Sequence, residues 1–162
     1  QYVLAEHLSY DEATGLFKRK KLAMSSNAKE GDEAGSLKDD GYVVIYVLGK
    51  PYKAHRLAWL YVNGEFPAGE IDHIDGNKMN NAIINLRDVS REINQQNRRH
   101  AKAGNPAGFL GVTVDQKTGK YLARITKTGA KTSTSLGRFD TPEEAHAAYV
   151  AAKRVLHEGC TI

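Results

Sequence analysis

The chain holds a single cysteine, Cys160, in 162 residues. One thiol excludes internal disulfides and any cysteine-built zinc cage. No apolar run approaches the roughly 18 residues of a membrane span, so no membrane partner is expected. No charged segment followed by an apolar stretch opens the chain, so no signal peptide is visible. Repeats and low-complexity tracts are also lacking. These absences predict a protein of a reducing, cytoplasmic compartment. What is present is a 41% hydrophobic composition with a mean hydropathy of −0.51, enough for a core with a wet surface. The length suits one large domain or two small ones.

Charge is unevenly placed. Residues 1–86 hold 10 Lys/Arg against 12 Asp/Glu, whereas residues 87–162 hold 13 against 7. A basic half attracts phosphate backbones, because each neutralised phosphate releases condensed counterions. The basic run Lys18 to Lys21 adds charge near the amino terminus.

Residues 1–50 read as short strands and turns. Asp39-Asp40-Gly41 is a turn, Tyr42 to Leu48 is β-branched and aromatic, and Gly49-Lys50-Pro51 turns again. The period then changes. Leu57, Leu60 and Tyr61 share a helical face, and Gly64 supplies a stop, which predicts a short helix from about His55 to Asn63. His55 is read as a capping or hydrogen-bonding residue of that helix. Ser90 can cap a second helix over about Arg91 to Arg99, on which Asn94, Asn97 and Arg98 share a face.

Between these helices stands "IDHIDGNKMNN", residues 71–81, followed by "INLR". Asp72, His73, Asn85 and Asn94 form a set suited to phosphodiester hydrolysis. Carboxylate and amide oxygens are donors for a hard divalent cation. A neutral imidazole is a base at physiological pH. One histidine and no cysteine in the set argue against zinc. Strict strand alternation would point Asp72 and His73 to opposite faces, so both serve one phosphate only if the strand ends or bulges there.

The stretch "HRLAWLYVNGEFPAGEIDHIDGNKMNNAIINLR", with "NQQNRR" after it, resembles the HNH nucleases of phage and intron-encoded homing endonucleases, over about residues 40–100. The resemblance implies a ββα-metal core, two strands and a helix around one Mg²⁺ or Mn²⁺ ion. It implies His73 as the general base, Asp72 and Asn94 as metal ligands, and Asn85 as the residue that fixes the loop and orients the base. Asp75 is the rival carboxylate, and Asn97 could replace or assist Asn94. Arg98 and Arg99 would clamp the DNA backbone. Products would carry 5′-phosphate and 3′-hydroxyl ends, made by a protein that acts in a phage-infected or bacterial cell.

"AKAGNPAG" is linker-like. After it, "FLGVTV", "KYLARI" and "TSTSLGRF" read as a three-stranded meander. "DTPEEAHAAYVAAKRVLHEG" follows as a helix, with Thr141 as cap, Pro142 first and Glu144 reaching back. Its apolar stripe is Ala145, Ala148, Tyr149, Ala152, Val155 and Leu156, and Gly159 ends it. This segment resembles the plant ethylene-response-factor type of DNA-binding domain. That implies DNA contact through the sheet, although Thr113, Asp115, Thr134 and Ser135 fall where those domains place arginine and tryptophan. Lys117, Lys120, Arg124, Lys127 and Lys131 keep the region basic.

The expected architecture is therefore α+β. An HNH nuclease domain with amino-terminal strands spans 1–100, a linker 101–107, and a sheet-plus-helix DNA-binding domain 108–162. The expected function is metal-dependent nicking of double-stranded DNA by a monomer, with a catalytically inactive, sequence-specific DNA-binding protein as the alternative.

Overall fold

The computed structural model describes residues 2–20 and 28–162. The chain divides into two compact units, 1–90 and 91–162.

The first unit opens with helix α1 (Tyr2–His7), then strands β1 (Leu8–Tyr10) and β2 (Phe17–Arg19), an antiparallel hairpin with Tyr10 opposite Phe17. The Asp11 carboxylate closes its turn by accepting the N–H groups of Ala13 and Thr14. Helix α1 is a correction to the expected strands and turns. It buries only Leu4 and leaves Tyr2 and Val3 exposed, so no apolar stripe announces it. Of the basic run 18–21, Lys21 lies outside the described residues.

Strands β3 (Ser36–Leu37), β4 (Val43–Val47) and β5 (Lys50–Lys53) form an antiparallel sheet in sequence order. Helix α2 (Ala54–Asn63) follows directly. It buries Ala54, Leu57 and Ala58, spaced three and four apart, and Gly64 closes it in the left-handed region at φ 82°. Strands β6 (Glu70–His73) and β7 (Leu86–Val89) make a second antiparallel pair. Leu4, Leu8, Phe17, Ile45, Leu57, Ile71 and Leu86 meet in one core, so every element of this unit except β3 and β5 contributes a buried apolar side chain.

The β4–β5 hairpin carries a local misfit. Val47 pairs with Lys50, leaving Leu48-Gly49 as a two-residue loop, and Leu48 stands at φ 49° with 68% of its surface exposed. Left-handed backbone costs a residue with a Cβ about 1–2 kcal/mol, and asparagine tolerates it better. Leu48→Asn is expected to raise unfolding stability by about 1 kcal/mol in a denaturant titration. A loss of stability would contradict this reading of the turn.

The second unit begins with helix α3 (Arg91–Gln96). Strands β8 (Val112–Val114), β9 (Tyr121–Ile125) and β10 (Thr134–Phe139) form a meander with β9 in the middle. Helix α4 (Pro142–Leu156) carries the expected capping box between Thr141 and Glu144. Val112, Ala123 and Ala145 are sealed in the core, with Val114, Tyr121 and Phe139 against them. Gly111 is required where it stands, because a Cβ there would lie 2.0 Å from the Tyr149 ring.

Three expectations for this unit change. Val155 is 82% exposed, and Lys153 takes the buried position on the line through Ala145 and Tyr149. Its ammonium donates to the Arg98 carbonyl at 2.5 Å, which makes burial of the long side chain tolerable. Helix α4 ends at Leu156 rather than at Gly159. Gly159 instead lets the chain pass α3, where a Cβ would meet the Ile93 carbonyl oxygen at 2.2 Å. Helix α3 stops at Gln96 rather than Arg99, because the residues beyond it bond to the carboxyl-terminal segment. These bonds also explain why the chain divides after residue 90, whereas composition places a linker at 101–107. No helix among the described residues is long and apolar enough to cross a membrane.

Candidate active site

The β6–β7 pair places the motif residues. Asp72 stands opposite Arg87 and His73 opposite Leu86, in a regular register without a bulge. The strand ends at His73, and the Gly76 N–H then donates to the His73 carbonyl at 2.8 Å. The ladder pairs both residues, so the regular strand runs through Asp72 and His73 and stops only after them. Both side chains belong to buried residues, each 4% exposed.

Arg87 explains how a buried carboxylate is tolerated. Its Nε and Nη2 donate to Asp72 Oδ2 at 2.9 and 2.7 Å. A buried carboxylate without a partner would be strongly disfavoured. The arginine of "NLR" thus serves the aspartate across the ladder.

The loop from Ile74 to Ile84 is built around Asp75. Its Oδ1 accepts from the Asn77 N–H at 2.7 Å and from Asn85 Nδ2 at 3.0 Å, and its Oδ2 accepts from Asn80 Nδ2 at 2.7 Å. Burial acts to raise the Asp75 pKa, but the bonds from Asn80, Asn77 and Asn85 outweigh it and hold it below the usual carboxylate value. Asn85 answers from the other side. Its Nδ2 also donates to the Asn80 carbonyl at 2.8 Å, and its Oδ1 accepts the Asp75 N–H at 3.0 Å. Both carboxylate oxygens of Asp75 are engaged by the loop, so Asp75 and Asn85 together hold its shape.

His73 is enclosed by other rings. The His55 ring meets it edge-on, with centroids 5.1 Å apart and planes at 89°, and Tyr42 lies 6.1 Å away. Its Nε2 lies 3.3 Å from Asn81 Oδ1. Burial pushes the His73 pKa below the usual histidine value, while the Asn81 bond and the carboxylates of Asp75 and Asp72 pull the other way. His55 is pushed down to about 3, chiefly by burial, with His73, Lys53 and Arg56 adding to it. Both rings are therefore held neutral at physiological pH, the form that accepts a proton.

No sequence signal singles out Asn81 or Arg87, and His55, expected as a capping or hydrogen-bonding residue of its helix, instead packs its ring edge-on against His73. Asn81 was only one of a group of asparagines. The eight-residue separation of Asn81 from His73 crosses an irregular loop and follows no helical or strand period.

The remaining predicted residues lie in the second unit. Asn94 is half-buried on α3. Asn97 is buried, and its Oδ1 accepts a hydrogen bond from the Thr161 hydroxyl. Arg99 donates to the Thr161 carbonyl and hydroxyl at 3.2 and 2.7 Å, so its guanidinium serves the fold, while Arg98 is exposed. On the sheet, cross-strand pairs place Thr113, Leu122, Arg124, Ser135 and Arg138 on the face opposite buried Val112, Ala123 and Ile125. Arg138 pairs with Asp115 at 3.0 Å, and Lys120 with Asp140 at 3.0 Å. Lys117, Lys127 and Lys131 are exposed on the connecting turns.

No group of three or more His, Cys, Asp or Glu side chains that could hold a metal occurs among the described residues. Asp72, a buried carboxylate, would with amide oxygens offer a sparse oxygen set. Such a set fits a hard divalent cation, which keeps several waters and takes one or two carboxylates together with substrate phosphate.

A family model described as HNH endonuclease matches residues 52–96. The chain is 35% identical to "Protein 3.8" of Escherichia phage T7 over 82 residues, covering 48% of this chain and 67% of that protein. It is 34% identical to "Uncharacterized HNH endonuclease L560" of Acanthamoeba polyphaga mimivirus over 91 residues, covering 55% of this chain. The match spans under half of that mimiviral protein, 45%. A solved structure of the HNH homing endonuclease I-HmuI, described as showing DNA binding and cleavage, aligns with a TM-score of 0.44 and 22% identity. That alignment covers 94% of this chain and 88% of the other.

Proposed function

The chain belongs to the HNH endonuclease family, and we propose that it cleaves double-stranded DNA by metal-dependent hydrolysis, nicking one strand to leave 5′-phosphate and 3′-hydroxyl ends. The observation that carries this reading is the β6–β7 hairpin. There a buried, neutral His73 and a buried, arginine-paired Asp72 stand at successive positions inside the segment that matches the family.

Each side chain has a part. His73 removes the proton from the attacking water. Asp72, with Asn94 from α3, would hold the divalent cation, and Asn85 and Asp75 keep the loop in shape. Mg²⁺ or Mn²⁺ bound there would supply stabilisation of negative charge on the phosphate and the leaving 3′ oxygen. One such centre per chain, in a protein that acts as a monomer, cuts one strand.

The second unit supplies affinity, in the manner of the plant ethylene-response-factor domains it resembles in sequence. Its open sheet face carries Arg124, and its turns carry Lys117, Lys127 and Lys131. With threonine and serine as the other polar side chains of that face, bidentate arginine-to-guanine readout is confined to the arginines. Most of the binding then comes from phosphate contacts. Replacing Lys117, Arg124 and Lys127 together by alanine is expected to weaken duplex binding and to flatten the slope of log affinity against log salt by about 2–3, at roughly 0.9 for each phosphate no longer neutralised. Fluorescence anisotropy across a KCl series measures both. An unchanged slope would remove this surface from the interface.

A further inference from the structure

We infer that Asn81 is the positioning residue of His73, fixing its imidazole as the Nε2–H tautomer and so making Nδ1 the atom that accepts the proton from water. This rests on the reading of His73 as the base. The Asn81 side chain is buried. Its Nδ2 donates to the Met79 carbonyl at 3.1 Å. A carbonyl oxygen only accepts, so the amide nitrogen faces Met79 and the amide oxygen faces the imidazole. Oδ1 lies 3.3 Å from His73 Nε2 and has no proton to give, so Nε2 is the donor. An imidazole that acts as a base carries one N–H, so with Nε2 as the donor the basic nitrogen is Nδ1. A 180° turn of the ring would break the bond to Asn81, and the edge-on His55 ring walls one side.

Asn81 is itself held by the amino-terminal hairpin. The Tyr10 hydroxyl donates to the Asn81 carbonyl at 2.7 Å. The Tyr10 ring is lodged against Phe17 and Tyr61, with centroids 4.7 and 5.6 Å away. The Ile83 N–H donates to the Glu12 carbonyl at 3.1 Å. Gly15 approaches so closely that a Cβ there would lie 2.2 Å from the Ala82 nitrogen and 2.3 Å from the Asn81 carbonyl carbon. A hairpin more than fifty residues away in sequence therefore fixes the backbone from which the base is oriented. Its path runs from Tyr10 through Asn81 to His73.

The test combines imidazole ¹⁵N NMR of the full-length protein at neutral pH with cleavage kinetics. In the unsubstituted protein, His73 Nε2 is expected to show the shift of a protonated ring nitrogen and Nδ1 that of an unprotonated one. Asn81→Ala should mix the two tautomers and lower kcat about 10–100-fold, with KM for duplex unchanged. Asn81→Asp keeps an acceptor oxygen and should restore the Nε2–H signature. Tyr10→Phe removes only a hydroxyl and keeps the ring packing, so it should fold and lower kcat by a smaller factor. A protonated Nδ1 in the unsubstituted protein would overturn the inference, as would Asn81→Ala with unchanged shifts and kcat. Normal cleavage by His73→Ala would instead overturn the base reading, and the two failures are distinguishable because the nitrogen shifts are read without turnover.

Discussion

His73→Ala is expected to lower plasmid nicking by about 10²–10⁴-fold, the range supplied by a positioned general base. DNA affinity should stay within a small factor of the unsubstituted protein. The two readouts separate because His73 is 4% exposed on the nuclease hairpin, whereas the basic side chains expected to meet phosphate are exposed on the other unit. The environment of the ring sets the expectation. Burial lowers its pKa, and the nearby carboxylates of Asp75 and Asp72 keep that lowering from running unopposed. The ring is neutral at pH 7 and has a carboxamide on one nitrogen, which is how an imidazole is prepared to take one proton at one atom. A variant that nicks at the normal rate would remove His73 from the chemistry.

Chelation should have a comparable effect. EDTA is expected to stop nicking, and Mg²⁺ or Mn²⁺ in excess should restore it. Asp72 is the buried carboxylate of the hairpin, and its Oδ2 is taken by Arg87. Both Asp75 oxygens are taken by the loop. A set this sparse binds a hard cation weakly until phosphate oxygens join it. Activity should therefore depend on free metal concentration and recover on re-addition, without refolding. Nicking that persists in EDTA would remove Asp72 and Asn94 from the role of ligands.

The sequence was informative where a period or a short motif carries the physics. Helix α2 shows in the shared face of Leu57, Leu60 and Tyr61 with Gly64 as its stop, and helix α4 in Thr141-Pro142 with Glu144. The three strands of the second unit show in their turns. The positions of Asp72, His73 and Asn85 on one hairpin were also legible, because strand, turn and returning strand lie close in sequence. What stayed hidden depends on contacts between distant segments. Helix α1 has one buried residue and hence no stripe. Lys153 reads as a solvated charge until the Arg98 carbonyl is seen beside it. Asn81 reads as one loop asparagine among several until Tyr10 and His73 are found on either side of it. Arg99 reads as a phosphate clamp until Thr161 is found holding it.

Asp72 and Asn94 are proposed to hold one hard cation at the phosphate on which His73 acts. Anomalous scattering from Mn²⁺ in crystals of the full-length protein bound to duplex DNA tests it most directly. One peak is expected within about 2.2 Å of an Asp72 carboxylate oxygen and of the Asn94 amide oxygen, with a phosphate oxygen of the DNA also in reach and His73 Nδ1 turned toward that phosphate. A peak seated on Asp75, or DNA bound with no metal near Asp72, would contradict the account.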